Sequence, residues 1–238
     1  MQKDAAQTTP RTREIHMKKV GIAGWCLLVA LTAGAQESFE AAVAQGDSAR
    51  GVADVPSALA AYRTAANLAV NDTERGIALG KQAEIQAQLV KDFSAAKALA
   101  EQSLALPDAH AVSRVVALQV LAASVIGQED NHARAVSLLE EAARLEGVEW
   151  AKPTVLLSLG DARRMSGAFD EALAAYRDVL ALPGIAPAIA AIAHLNTGLT
   201  YQYSLTQPAA ARDAYARAVE LQPGLAGEIN AHLVRLSP

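Results

Sequence analysis

The chain has 238 residues, a formal net charge of −4, 52% hydrophobic residues and only 4% aromatics. Alanine supplies 54 of those residues, which makes the apolar fraction a helix signal, because alanine gives up no side-chain entropy on entering a helix. β-Branched and aromatic residues are too sparse for a β-sandwich, the scattered Lys and Arg form no basic patch for nucleic acid, and the one Cys excludes an internal disulfide or a cysteine-rich zinc site.

Residues 1–16 are polar and without periodicity, and read as a leader or as sequence upstream of a true start at Met17. Met17-Lys18-Lys19 then precede an uncharged apolar run over 20–31 and the small-residue site Ala33-Gly34-Ala35. A basic start, an apolar stretch and a small-x-small site make residues 17–35 a predicted signal peptide, cleaved after Ala35. The alternative is a membrane tether through an uncleaved signal, but the run is shorter than the ~20 residues a spanning helix needs. Trp25 stands before Cys26 where a lipoprotein signal requires a small residue. From Gln36 onward 16 basic and 23 acidic residues leave a charge of −7 (16 − 23). The expectation is an exported protein, periplasmic or secreted, with no stable membrane insertion after cleavage and no nucleic-acid partner.

The rest, 36–238, is periodic. Ala58, Ala96, Ala135, Ala172 and Ala211 each start a pattern with a larger or small apolar residue four on and a small one three further: Tyr62 and Ala65, Ala100 and Ser103, Leu139 and Ala142, Tyr176 and Val179, Tyr215 and Ala218. The anchors lie 38, 39, 37 and 39 residues apart. Positions four and seven apart share one helix face. Pro107, Pro183 and Pro223 follow apolar runs and end helices. Short breakers precede each anchor, such as Lys91-Asp92-Phe93 and Ser166-Gly167-Ala168-Phe169. Each unit therefore reads as helix, tight turn, helix, loop, with units near 39–72, 77–110, 116–149, 153–186 and 191–223 and a closing helix over 224–236.

This pattern resembles the tetratricopeptide repeat. The fourth unit carries Leu159-Gly160, Gly167, Phe169, Ala172, Tyr176 and Pro183, and the fifth carries Gly198, Tyr201, Ala211, Tyr215, Ala218 and Pro223. The first unit leans toward the related Sel-like repeat. Glu84 and Ala123 stand where units two and three would carry the first-helix glycine, and the fifth unit has one extra residue between Gly198 and Ala211. The resemblance implies an all-α, right-handed α-solenoid of five helix-turn-helix units plus a capping helix, whose first helices line a concave groove for partners. Carried onto this chain, the groove positions are Glu40, Val43 and Asp47 in the first unit and Lys81, Ile85 and Gln88 in the second. Val120 and Ser124 follow in the third, Leu157, Asp161 and Arg164 in the fourth, and Leu195, Leu199 and Gln202 in the fifth.

The residues point away from catalysis, metal and cofactor. His110, His132, His194 and His232 lie far from one another in sequence, with none a helical turn from another His or a Cys. His110 and His132 fall in predicted loops, and His194 at a packing position. Neither a G-x-S-x-G nor a phosphate-binding glycine loop occurs. Asn71-Asp72-Thr73 fits a glycosylation sequon but reads first as a helix cap, and Arg163 and Arg164 read as an ion-paired helix face with Asp161. The groove set is mixed, which suits an extended or helical segment with an apolar face better than an acidic tail. Three roles follow: a scaffold binding a protein or peptide, present as a monomer or weak homo-oligomer; a self-associating subunit of an envelope complex; or a hydrolase or carrier of small molecules, for which Asp161, Arg163 and Arg164 would be the candidate groups.

Overall fold

The computed structural model describes residues 38–236. The leader, 1–16, and the signal segment, 17–35, lie outside the described residues. Among the described residues there are eleven α-helices and no strand. They form five pairs: α1 (Phe39–Gly51) with α2 (Val55–Leu68), α3 (Asp72–Ile85) with α4 (Phe93–Leu104), α5 (Ala111–Glu129) with α6 (His132–Ala143), α7 (Lys152–Met165) with α8 (Phe169–Leu180), and α9 (Pro187–Leu199) with α10 (Pro208–Leu221). The cap, α11 (Ala226–Val234), follows a 3₁₀ turn at Pro223–Leu225. The architecture is the right-handed α-solenoid of five repeats that the resemblance implied.

Local chemistry sets each start. Side-chain oxygens of Ser38, Asp54, Asn71, Asp92 and Asn131 accept from free backbone N–H groups at the first turns of α1, α2, α3, α4 and α6. His110 caps α5 through its ring nitrogen. The later helices α7, α9 and α10 have no side-chain cap and begin instead with proline, whose fixed φ suits the first turn. Asn71 is thus the cap the sequence suggested, and Glu74 reaches back 2.9 Å to the Val70 N–H. That cap starts the second unit at Asp72, five residues before the expected 77, and His110 likewise starts the third at Ala111. His132 is the first residue of α6, not a loop residue.

The turn inside every unit repeats one geometry. Ala53, Lys91, Asp130, Gly167 and Thr206 all have positive φ, between 50° and 85°, and each lies five residues before its unit's anchor alanine. The next residue is the cap of the second helix, so one left-handed residue folds the chain back. Asp130 tolerates this conformation through its short polar side chain and Gly167 through its missing Cβ.

Packing confirms the stripe. All five anchors are fully buried, and of the ten residues four and seven positions on, none is more than 2% exposed. Second helices therefore present one sealed face to their neighbours. Where the stripe carries a tyrosine, the opposing first helix carries glycine: the rings of Tyr62, Tyr176 and Tyr215 lie where a Cβ on Gly46, Gly160 or Gly198 would be. In the second unit Ala100 occupies the tyrosine position, and buried Ala83, one residue before Glu84, packs in the same cluster. In the third unit buried Ala122 packs with Leu139, while Ala123 is exposed. The extra residue of the fifth unit is taken up by a π-helical turn, Thr200–Ser204, and a second such turn, Gln86–Val90, sets the register of the second unit. Helix α5 has a mean hydropathy of 1.5 over an 18-residue stretch, half of which is buried in the stack, as a core helix would be.

Candidate functional site

First helices lie side by side where α3 meets α5 and α7 meets α9, and side-chain hydrogen bonds link the first helices of units one and two and of units three and four. Side chains one repeat apart bond from helix to helix. Lys81 Nζ donates to Asp47 Oδ1 at 2.6 Å and Arg50 to Glu84 at 2.9 Å, joining α1 to α3. Gln119 donates to Thr154 at 3.2 Å, joining α5 to α7, and Asn196 to Asp161 at 3.0 Å, joining α7 to α9. The tyrosines complete these clasps from beneath. Tyr62 OH donates to Asp47 at 2.6 Å, Tyr176 OH to Asp161 at 2.7 Å, and Tyr215 OH to Gln202 at 2.6 Å. Gln202 in turn donates to the backbone oxygen of His232, which ties the cap to the fifth unit.

Asp47 and Asp161 occupy the same place in their units but differ in environment. Burial pushes the Asp47 carboxyl up, yet the hydrogen bonds from Lys81 and Tyr62 and the charges of Lys81 and Arg50 outweigh it, so its pKa is lowered. At Asp161 burial dominates and the pKa is raised, outweighing the Tyr176 hydroxyl and an Arg164 guanidinium 3.9 Å away, which favour the anion. Desolvation, then the nearby Asp161 charge, drives the Tyr176 hydroxyl well above its ordinary value, so it remains a donor.

Between the second, third and fourth units the first-helix face opens into a cavity of 380 Å³. Ala87, Val116, Val120 and Ala123 make its apolar floor. Gln88, Gln119, Thr154 and Ser158 supply amides and hydroxyls, and Glu84 is its one ionisable residue. Trp150, in the 3₁₀ turn Glu149–Ala151 that precedes α7, forms a wall and is 62% exposed.

The sequence-predicted residues divide against this geometry. Gln88 and Val120 line the cavity, Asp47, Lys81, Asp161 and Gln202 belong to the clasps, and Arg164 flanks Asp161. Glu40 is exposed in the first turn of α1, Val43 packs on the Ala42 cluster and Leu199 is half-buried against the Tyr215 cluster. Ile85 and Ser124 are fully buried and drop out of the face: Ile85 packs with Ala58 and Tyr62, and the Ser124 hydroxyl bonds the Val120 carbonyl. Leu157 and Leu195 are likewise core residues. Their neighbours Glu84, Ala123 and Ser158 are the ones that line the cavity, because one residue along a helix is a rotation of about 100°. Arg163 turns away from Asp161 to pair with Glu140 at 3.0 Å, next to α8. His194 is half-buried, its pKa lowered by burial and then by Arg217. Trp150 escaped the sequence reading because it lies in a linking turn, where no helical period marks it. Its signal was an apolar aromatic outside every stripe.

Among the described residues, no three His, Cys, Asp or Glu residues stand close enough to hold a metal ion. No protein-family model matches the chain, and no curated protein matches it. Solved structures do. Two crystal structures of MamA superpose with TM-scores of 0.54 and 0.55 at 20% and 21% identity, over 80% and 76% of this chain and 95% and 96% of theirs. The crystal structure of YrrB, described as a TPR protein with an unusual peptide-binding site, superposes with a TM-score of 0.53 at 19% identity, over 82% of this chain and 92% of that one. The repeat pattern, the helix pairing and these superpositions agree, and the chain folds as a tetratricopeptide-repeat solenoid.

Proposed function

We propose that the protein is a non-enzymatic scaffold that holds a protein or peptide segment in a concave groove formed by its first helices, outside the cytoplasm. The observation that carries this reading is the cavity beside Trp150. It crosses three consecutive first helices and combines an apolar floor with amide and hydroxyl groups at its rim. A preformed surface of this kind binds without a large ordering cost on its own side. The peptide-binding site of YrrB supports the same use of the fold, and the export signature at residues 17–35 supports the compartment. The test is affinity capture from the envelope fraction with the parent chain and with Trp150→Ala. Loss of captured proteins from the variant is the expected result, and an unchanged set refutes the assignment of the face.

A second reading, a self-associating envelope subunit, has its own observation. A largely apolar cavity of 510 Å³ lies between α10 and the cap, lined by Tyr215, Val219, Ile229 and Leu233 among others, and Val234, the last residue of the cap helix, is 74% exposed. Light scattering over a concentration series separates the two. A strict monomer at tens of micromolar, by rough affinity arithmetic, removes self-association.

A further inference from the structure

We infer that the cavity beside Trp150 takes one uncharged, aliphatic or proline side chain of an extended peptide, whose neighbouring residues are also uncharged where they cross the three first helices. This rests on the scaffold reading above and adds the chemistry of the partner.

Charge decides the first part. Of the residues lining the cavity only Glu84 is ionisable, and its carboxylate is engaged by Arg50 at 2.9 Å. A charged side chain seated here would lose hydration and meet no free counter-charge, which is strongly unfavourable. An apolar side chain meets Ala87, Val116, Val120 and Ala123 and the indole of Trp150. Exposed aromatics over an apolar recess are the anchors around which interface energy concentrates.

Hydrogen bonding decides the second part. Within the rim Gln119 donates to Thr154 at 3.2 Å, Thr154 donates to the Ala151 carbonyl at 2.9 Å and Gln88 accepts from Arg50 at 3.3 Å, which leaves the Gln119 amide oxygen, the Gln88 amide N–H groups and the Ser158 hydroxyl facing the cavity for a ligand. These groups donate and accept, and they match the free N–H and C=O groups of an extended backbone. A helical ligand has already satisfied those groups internally and would match none of these remaining rim groups. Three adjacent first helices span about two interaxial spacings of 8–10 Å, so five or six extended residues at ~3.3 Å each cross them.

The experiment uses the full chain carrying Trp25→Phe, which leaves Trp150 as its only tryptophan. A phage-displayed random nonapeptide library is selected on it, and the enriched sequences are synthesised and titrated while Trp150 emission is followed. The expected peptides are uncharged around a central aliphatic or proline residue and shift the emission to the blue. Replacing that residue with Asp or Lys weakens binding at least tenfold, as does Trp150→Ala, read by anisotropy of a labelled peptide; Trp150→Phe retains most of the affinity. Because Trp150 is largely exposed, the alanine variant keeps the parent melting curve. Enrichment of acidic or basic peptides overturns the inference and leaves the scaffold reading intact. So does binding that is insensitive to Trp150→Ala but lost on Asn196→Ala, which places the peptide elsewhere on the same face. Failure of any peptide to enrich, with no protein captured from the envelope fraction, overturns both.

Discussion

The units that carry tyrosine and the two that do not solve the same packing problem in opposite ways. In the first, fourth and fifth units a buried ring lies on a glycine, and its hydroxyl reaches through to a polar side chain on the first-helix face. In the second and third units small or aliphatic residues meet instead, Ala83 near Ala100 and Ala122 near Leu139, and no hydroxyl emerges. The first arrangement gains large buried area and a hydrogen bond but makes the pair intolerant of change, since ring and glycine must vary together. The second needs no matched partner. The apolar floor of the cavity comes from these two units, and the fourth supplies Trp150, Thr154 and Ser158.

That comparison is broken most forcefully at Tyr176. Replacing it with alanine removes a fully buried ring, and the loss is about 3–5 kcal/mol, read by urea denaturation. Leu139→Ala in the third unit falls at or below the lower end of that range, about 2–3 kcal/mol. Gly160→Ala alone forces a Cβ into the Tyr176 ring and costs about 1–3 kcal/mol. Combining Gly160→Ala with Tyr176→Ala rebuilds in the fourth unit the alanine pairing of Ala83 and Ala100. The double variant is expected to lose at least ~1 kcal/mol less than the sum of the singles. Additive losses would show that ring and glycine do not form one packing unit.

Much of this was legible in the sequence because burial there is periodic. The anchors and their stripe recur every 37–39 residues, and a helix face buried against a neighbour tolerates only small or ring-filling residues, so composition records it. The first-helix face was less legible. Glu84 and Ala123 were aligned with Gly160 by spacing alone, whereas the buried small residues are Ala83 and Ala122. In the second unit the π-turn Gln86–Val90 adds a residue between the helices, and no residue type marks such a turn in a sequence. The same one-residue offset put Ile85 and Ser124 on the expected face in place of Glu84 and Ala123. Trp150 was invisible for a different reason: its position depends on how the third unit meets the fourth, which a period within units does not contain.

The turns offer a smaller way to sharpen the contrast among units. Gly167 adopts its left-handed φ of 85° without a Cβ, whereas Thr206 holds φ of 52° with a branched side chain. A left-handed conformation costs an L-residue about 1–2 kcal/mol, partly offset in glycine by the entropy it loses on folding. Thr206→Gly is therefore expected to stabilise the fifth unit by about 0.5–1 kcal/mol, and Gly167→Ala to destabilise the fourth by a similar ~1 kcal/mol. Thermal melts of the two variants should move in opposite directions. Movement in the same direction would mean that the two turns are not equivalent.

The smallest expected effect separates two residues that the repeat makes equivalent. Asp47 and Asp161 each accept a tyrosine hydroxyl and a donor from the next unit, but the donor is a lysine in one case and a neutral amide in the other. With its pKa lowered in the folded state, Asp47 contributes stability that is fully present above the unfolded value near 3.8 and is lost as pH falls through the folded one. With its pKa raised, Asp161 favours the folded state most below 3.8, and that contribution is lost as pH rises through the folded value. At pH 7 Asp47→Asn should therefore lower the melting temperature and Asp161→Asn raise it, since asparagine still accepts from Tyr176 and carries no charge to bury. Each change is about 0.5 kcal/mol or less, because both carboxylates keep contact with water. Both differences from the parent should shrink together as pH is taken below 3.8, where the two carboxyls are neutral in the unfolded chain. If the two substitutions shift stability in the same direction at pH 7, charge does not distinguish the two clasps, and the tyrosine hydroxyl alone accounts for what they have in common.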